Sequence, residues 1–195
     1  MLRAALASAV MIVVSTVALG FAYPALMTGV GALAFPHQTA GSLIDRNGKV
    51  VGSSLAAQAF TSPRYFHERP SATSPAYNAA GTTFSNLGPT SAALRELVAS
   101  NARAILSLEG PYNPGLTIHN IPVDAVVPSG SGIDPEISLA YAQLQARRVA
   151  STRDLPLTTV EQLIRENTWG RTLGFLGEPG VNVLELNVAL DRLGG

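Results

Sequence analysis

His37, His67 and His119 are the natural candidates for acid–base work or metal ligation in this chain, and they lie scattered, without the paired spacing of a metal site. Neither a G-x-S-x-G nucleophile elbow nor a Walker phosphate loop occurs. There is no cysteine, which removes a disulfide framework, a thiolate metal centre and a thiol nucleophile together. Asp124, Asp134 and Glu136 sit close enough in sequence for a general acid–base pair, although such carboxylates more often cap helices or face solvent. Ser129, Gly130, Ser131 and Gly132 offer successive backbone amides that could cradle an anion, and with Asp134 they form a candidate loop interface. No Lys or Arg is adjacent, so a plain tight connection from strand to helix is the simpler reading. Gln145 and Arg148 share one turn of an expected helix and read as a solvated face. No set of residues here reads as catalytic.

The elements that would position these groups follow from local pattern. Residues 41–45 and 50–53 alternate towards strands, and Asn47-Gly48 between them favours the positive φ angles of a type I′ hairpin turn. From Ala57 to Ser85 the chain is dense in Pro, Ser, Thr, Gly and Asn and carries no period, which predicts an ordered irregular loop. Phe60, Tyr65, Phe66 and Tyr77 are expected to pin that loop to a core. Thr90 or Ser91 caps a helix running to about Leu108, stopped by Gly110-Pro111. Ile121–Val127 reads as an edge strand on account of Pro122. Ser138 caps a helix that carries Gln145 and Val149, and residues 158–161 have the form of a capping box opening another. The stretch from Val181 to Leu190 passes from a strand into a last short helix. The sum is an α+β domain with a small sheet.

Ahead of it lies a different kind of sequence. Ala4 to Phe35 has no charged side chain, and Leu6–Leu26 alone supplies the roughly 20 apolar residues that a bilayer-spanning helix needs. Tyr23-Pro24 is expected to close the run. Ala32-Leu33-Ala34 also fits a signal-cleavage pattern, but signal cores are about 7–15 residues long, so a retained single-pass anchor is preferred. Residues 1–35 are therefore read as the anchor and 36–195 as the domain. Ala4, Ser8, Ser15, Ala18 and Ala22 recur at three-, four- and seven-residue steps, which would place small side chains on one face for packing against a partner helix. Arg3 before the span favours a cytoplasmic N-terminus and a C-terminal domain outside. The 13 Lys and Arg balance the 13 Asp and Glu, so no basic face for nucleic acid is expected.

These segments, taken in order, resemble a known family. The anchor precedes Gly41–Ile44, Val51–Ser53, Gln58–Phe60, Tyr65-Phe66, Arg69–Ala72, Tyr77-Asn78 and Ser85–Pro89. Ile121–Asp124, Ser129–Ser138, Arg148–Ala150, Leu176–Pro179, Val181–Leu184 and Leu186–Asp191 follow. The pattern is similar to that of the C subunits (KdpC) of bacterial potassium-transporting Kdp ATPases and spans nearly the whole chain. Departures are Thr82–Phe84 in place of a Gly-Gly run, Glu136 in place of His, Gly180 in place of Arg, and Ala57 in place of Gly.

The resemblance implies a non-catalytic accessory subunit of an ATP-driven potassium uptake complex in the bacterial inner membrane. Its partners would be a channel-like subunit that selects the ion, a P-type ATPase subunit and a small membrane subunit. Potassium is then the transported ion, and ATP belongs to the complex rather than to a site in this chain. The family role is assembly, together with a catalytic-chaperone effect that raises the ATPase subunit's affinity for ATP. A Gln implicated in that effect corresponds to Gln145. An exported Gln145 cannot touch cytoplasmic ATP, so its influence would pass through partner subunits. The alternatives are a module that binds nucleotide directly and a membrane-anchored exported binding protein or enzyme.

Overall fold

The computed structural model describes residues 1–193 and divides into two compact units at Leu43/Ile44. In the first, α1 (Leu2–Ser15), a π-helical stretch (Thr16–Ala22) and α2 (Tyr23–Ala34) form one uninterrupted helical run of 33 residues with no buried position. At about 1.5 Å per residue it is roughly 50 Å long, against about 30 Å of bilayer hydrocarbon. The break expected at Tyr23-Pro24 does not occur. Proline falls in the first turn of α2, and the wide turn before it lets the Tyr23 N–H donate to Ala18 O. The wide turn makes room for the proline ring, so the helix runs on past it. A four-residue helix, α3 (Pro36–Thr39), ends this part.

The second unit opens on the hairpin of β1 (Leu43–Arg46) and β2 (Lys49–Ser53). Asn47 and Gly48 have φ of 55° and 76°, the pair of left-handed residues that the turn requires. After the long irregular segment, the Ser91 hydroxyl accepts from the Leu94 N–H and opens α4 (Ala92–Glu109). The strand expected at Ile121–Val127 is absent. Short 3₁₀ turns, Ile118–Asn120 and Val123–Ala125, stand there, and the Asp124 carboxylate accepts from the Ser138 N–H and hydroxyl at 2.7 and 2.9 Å. Apolar content suggested a strand, but Pro122 starts a turn instead and Asp124 fastens it to the next helix.

A three-stranded antiparallel sheet holds the centre, in the order β3 (Glu136–Ile137), β5 (Gly180–Asn182), β4 (Thr168–Trp169). Helices α5 (Leu139–Arg153), α6 (Leu157–Glu166) and α7 (Val183–Arg192) complete the domain. The capping box expected at residues 158–161 is not formed. Pro156 precedes α6 without a side-chain cap, its fixed φ already suited to a helix start. The core is one cluster joining Phe66, Ile105, Tyr141, Val149, Ile164 and Leu186. Helix α5 runs through its middle.

Candidate functional site

Along α5, Tyr141, Ala142, Gln145, Ala146, Arg148, Val149, Ala150 and Arg153 all face inwards. Gln145 and Arg148 are both fully buried, contrary to the solvated face read from sequence. The reason lies in the irregular loop, which sets Phe66 into the core and brings backbone polar groups in need of partners against it.

The loop's groups are met one by one. Arg148 Nη1 donates to the carbonyls of Pro63 and Tyr65, and Arg153 Nε donates to Arg64 O at 2.6 Å. Asn187, on α7, accepts from the Phe66 N–H and donates to Phe66 O, each at 2.9 Å. Gln145 does the same for the next residue, accepting from the His67 N–H at 2.7 Å and donating to His67 O at 3.0 Å. Five successive carbonyls, Pro63 to His67, are thus held by side chains of α5 and α7. Two side-chain amides imitate the edge of a sheet where no strand is available. Gln145 Oε1 also accepts from Arg148 Nη2 at 2.9 Å, which fixes its orientation.

Charge within this clamp is balanced by contact. Arg148 Nε donates to Glu109 Oε1 at 2.8 Å, with both side chains sealed from solvent. Burial pushes the Glu109 carboxyl up, against the pull of Arg148. Asp191 gathers Arg153 at 2.8 Å, Arg46 at 2.5 Å and the Tyr65 hydroxyl at 3.1 Å. Burial raises its pKa, but those three hydrogen bonds outweigh it and hold the carboxyl below the usual range. Burial pushes the His67 imidazole down, and its Nε2 lies 3.0 Å from Ser62 O. A carbonyl only accepts, so the neutral ring carries its hydrogen on Nε2. Burial drives the neighbouring Glu68 carboxyl up to about 9, although the Gln58 backbone amide favours its charged form.

The remaining candidates fall elsewhere. Ser129 Oγ accepts from the Gly132 N–H, Gly132 O accepts from the Ser71 hydroxyl, and Ser131 O accepts from the Thr83 N–H. The loop is therefore closed upon itself and on the 71–83 segment, with only Gly130 among its four residues exposed. Asp134 is paired at 2.9 Å with Arg69, a cation distant in sequence and therefore unseen by a local reading. In the first unit the wide turn gains less rotation per residue than an α-turn. Ala18 and Ala22 consequently lag behind the face that carries Ala4, Ser8 and Ser15. Among the described residues no group of three or more His, Asp or Glu converges as a metal site. The carboxamide of Gln145, committed to His67 and Arg148, presents no atom to a nucleotide in this conformation. Asn187 was missed by sequence reasoning, since an Asn inside a helical pattern gives no sign of a backbone partner 121 positions away.

A long apolar helix joined to a small α+β domain, its buried polar side chains turned to holding a loop, defines a membrane-associated chain with one candidate span. The family profile described as "K+-transporting ATPase, c chain" matches residues 5–192. A potassium-transporting ATPase KdpC subunit of Methylococcus capsulatus is 52% identical over 184 residues, covering 94% of each chain. Those of Mycobacterium bovis and Methylobacterium nodulans are 47% and 48% identical, covering 99% and 92% of this chain and 100% and 92% of their own. The chain belongs to the KdpC family.

Proposed function

We propose that this protein is an accessory subunit of an ATP-driven, high-affinity potassium uptake complex. It would cross the bacterial inner membrane once, with its N-terminus cytoplasmic and its C-terminal domain outside. Its helix would pack beside the channel-like subunit, and the domain would cover the outer surface of that subunit and support assembly with the P-type ATPase and small membrane subunits. The observation that carries this reading is the 33-residue apolar run without a buried position, in a chain matched to potassium ATPase c chains from residue 5 to 192. An apolar helix of this length with no buried position needs lipid or partner helices around it.

The catalytic-chaperone effect on ATP affinity belongs to the same proposal. Gln145 contributes to it by fixing the Pro63–His67 loop, so that any influence on nucleotide passes through the shape presented to partner subunits. A topology reporter fused after Gly195 and co-purification with the other subunits in detergent test the reading together. Expected are an external reporter and recovery of the whole complex. A cytoplasmic reporter, or a chain recovered alone, overturns it. Equilibrium dialysis of the isolated chain with ATP should show no binding, and saturable binding would favour a direct nucleotide module instead.

A further inference from the structure

Between β4 and β5 the chain leaves the body of the domain. Every residue from Trp169 to Pro179 is exposed, and large apolar side chains dominate: Leu173 is 79% exposed, Phe175 68%, Trp169 57% and Leu176 49%. The excursion is ordered by its own bonds. Thr172 and Leu176 exchange both backbone hydrogen bonds at 2.9 Å, and Arg171 Nη2 donates to both Glu178 oxygens at 3.0 and 2.8 Å. Its tip needs two left-handed residues and uses Leu173 (φ 55°) and Gly174 (φ 83°). The hairpin at the start of the domain meets the same demand with Asn47 and Gly48. Leucine is poorly suited to that conformation and gains nothing from water, so the turn chemistry points to a partner that covers it.

At the base of the hairpin lies a cleft of about 400 Å³, lined by Arg69, Asp134, Glu136 and Glu178 with the exposed Val123. Arg69 is taken by Asp134, and Arg171 by Glu178. Glu136 has no ion pair among the described residues, and it occupies the space that a Cβ at Gly180 would fill. Burial and the neighbouring Asp134 and Glu185 carboxylates push Glu136 up, the condition of a carboxylate that lacks a cation.

We infer that the Trp169–Pro179 hairpin and the adjoining Glu136 cleft form the surface on which this domain docks a partner subunit, through an apolar patch flanked by a Lys or Arg that reaches Glu136. The inference rests on the accessory-subunit reading and deepens it by naming the surface. Charge decides the occupant. An anionic bilayer surface would be repelled by the carboxylate-rich rim, and the tip offers no net positive charge in return. A second copy docking face to face would bring one Glu136 towards another. A basic-flanked protein segment satisfies both the cleft and the tip, and a rigid hairpin loses little freedom on binding it.

The natural chain lacks cysteine, so a single Phe175→Cys substitution can be followed with a maleimide in the full chain. Labelling should be at least tenfold slower in the assembled complex than in the isolated chain in the same detergent. Glu136→Gln should reduce recovery of the complex severalfold and flatten the loss of recovery with added salt. Co-purification with equal labelling rates overturns the docking surface alone. Equal protection of the isolated F175C chain in anionic lipid vesicles, with no partner present, assigns the hairpin to lipid and overturns the inference too. A wild-type chain that fails to co-purify removes the accessory-subunit reading, and the docking surface with it.

Discussion

Replacing Gln145 with leucine tests the loop clamp at its centre. The substitution leaves the half-buried His67 N–H and carbonyl without their side-chain partner and takes an acceptor from the fully buried Arg148 Nη2. Each orphaned backbone group costs about 1–3 kcal/mol. Leucine's greater apolar burial offsets about 1–2 kcal/mol of that. A net loss of about 2–4 kcal/mol follows, a large share of the about 5–15 kcal/mol that stabilises a typical domain. Urea unfolding of the full chain in mild detergent, followed by far-ultraviolet circular dichroism, reads this directly, because the membrane helix persists as a constant background. Hydrogen exchange at Phe66 and His67 should accelerate by more than tenfold in parallel. An unchanged midpoint refutes the clamp. A variant that keeps full stability yet abolishes the effect on ATP affinity in the complex would place Gln145 at a ligand instead.

The pH dependence separates the buried Glu68 from its half-buried neighbour His67. Glu68 holds a proton in the folded domain up to about 9, whereas a free glutamate releases it near 4.5, so stability present below 4.5 is lost progressively as pH rises towards 9. At pH 7 the interval above 4.5 corresponds to about 3 kcal/mol, and Glu68→Gln should recover about that much and flatten a pH series of urea midpoints. His67 works in the opposite direction: its imidazole is held below 6.5, so stability falls as pH drops through 6.5, and His67→Gln should remove that acid-side slope. Arg148→Met should cost about 3–5 kcal/mol in the same unfolding assay, because Glu109 and the Pro63 and Tyr65 carbonyls all lose their donor. In the membrane, Ser15→Leu should weaken co-purification more than Ala22→Leu, since the wide turn carries Ala22 off the small face. Equal effects would show that the π turn is closed in the complex.

Local chemistry makes some of this architecture legible in the sequence. Asn47-Gly48, Ser91 and Ser138 each act through neighbours within three residues, and each does what its type predicts. The strand into helix from Gly180 to Arg192 was readable for the same reason. What failed depended on distant partners or on one backbone detail. Ile121–Val127 had strand composition, but Asp124 found Ser138 and the segment turned. Pro24 looked like an end because a proline removes a donor, and only the five-residue bond from Tyr23 to Ala18 shows how the helix continues. Gln145 and Arg148 looked solvated because polar residues usually are. The backbone they serve lies 78 to 85 positions earlier, in a segment with no period to betray its burial.

That last failure bears on why the domain is built this way. As an ion pair alone, sealed Arg148–Glu109 with its spare Glu109 oxygen is a poor source of stability. An apolar interior could not replace the groups that meet the carbonyls from Pro63 to His67, Arg148 Nη1 among them, because no strand among the described residues runs beside them. A loop that enters the core without a sheet edge requires side chains that can both donate and accept, and Gln145 and Asn187 are the two that do both here. The clamp therefore fixes one conformation of a segment that composition alone leaves free. Helix α7, which carries Asn187, begins directly after β5, and β5 begins where the exposed hairpin returns to the domain. Strand β3 likewise leads into α5, which carries Gln145. The two strands are paired through Ile137 and Val181, so the sheet that supports the hairpin also sets the positions of both amides that grip the loop.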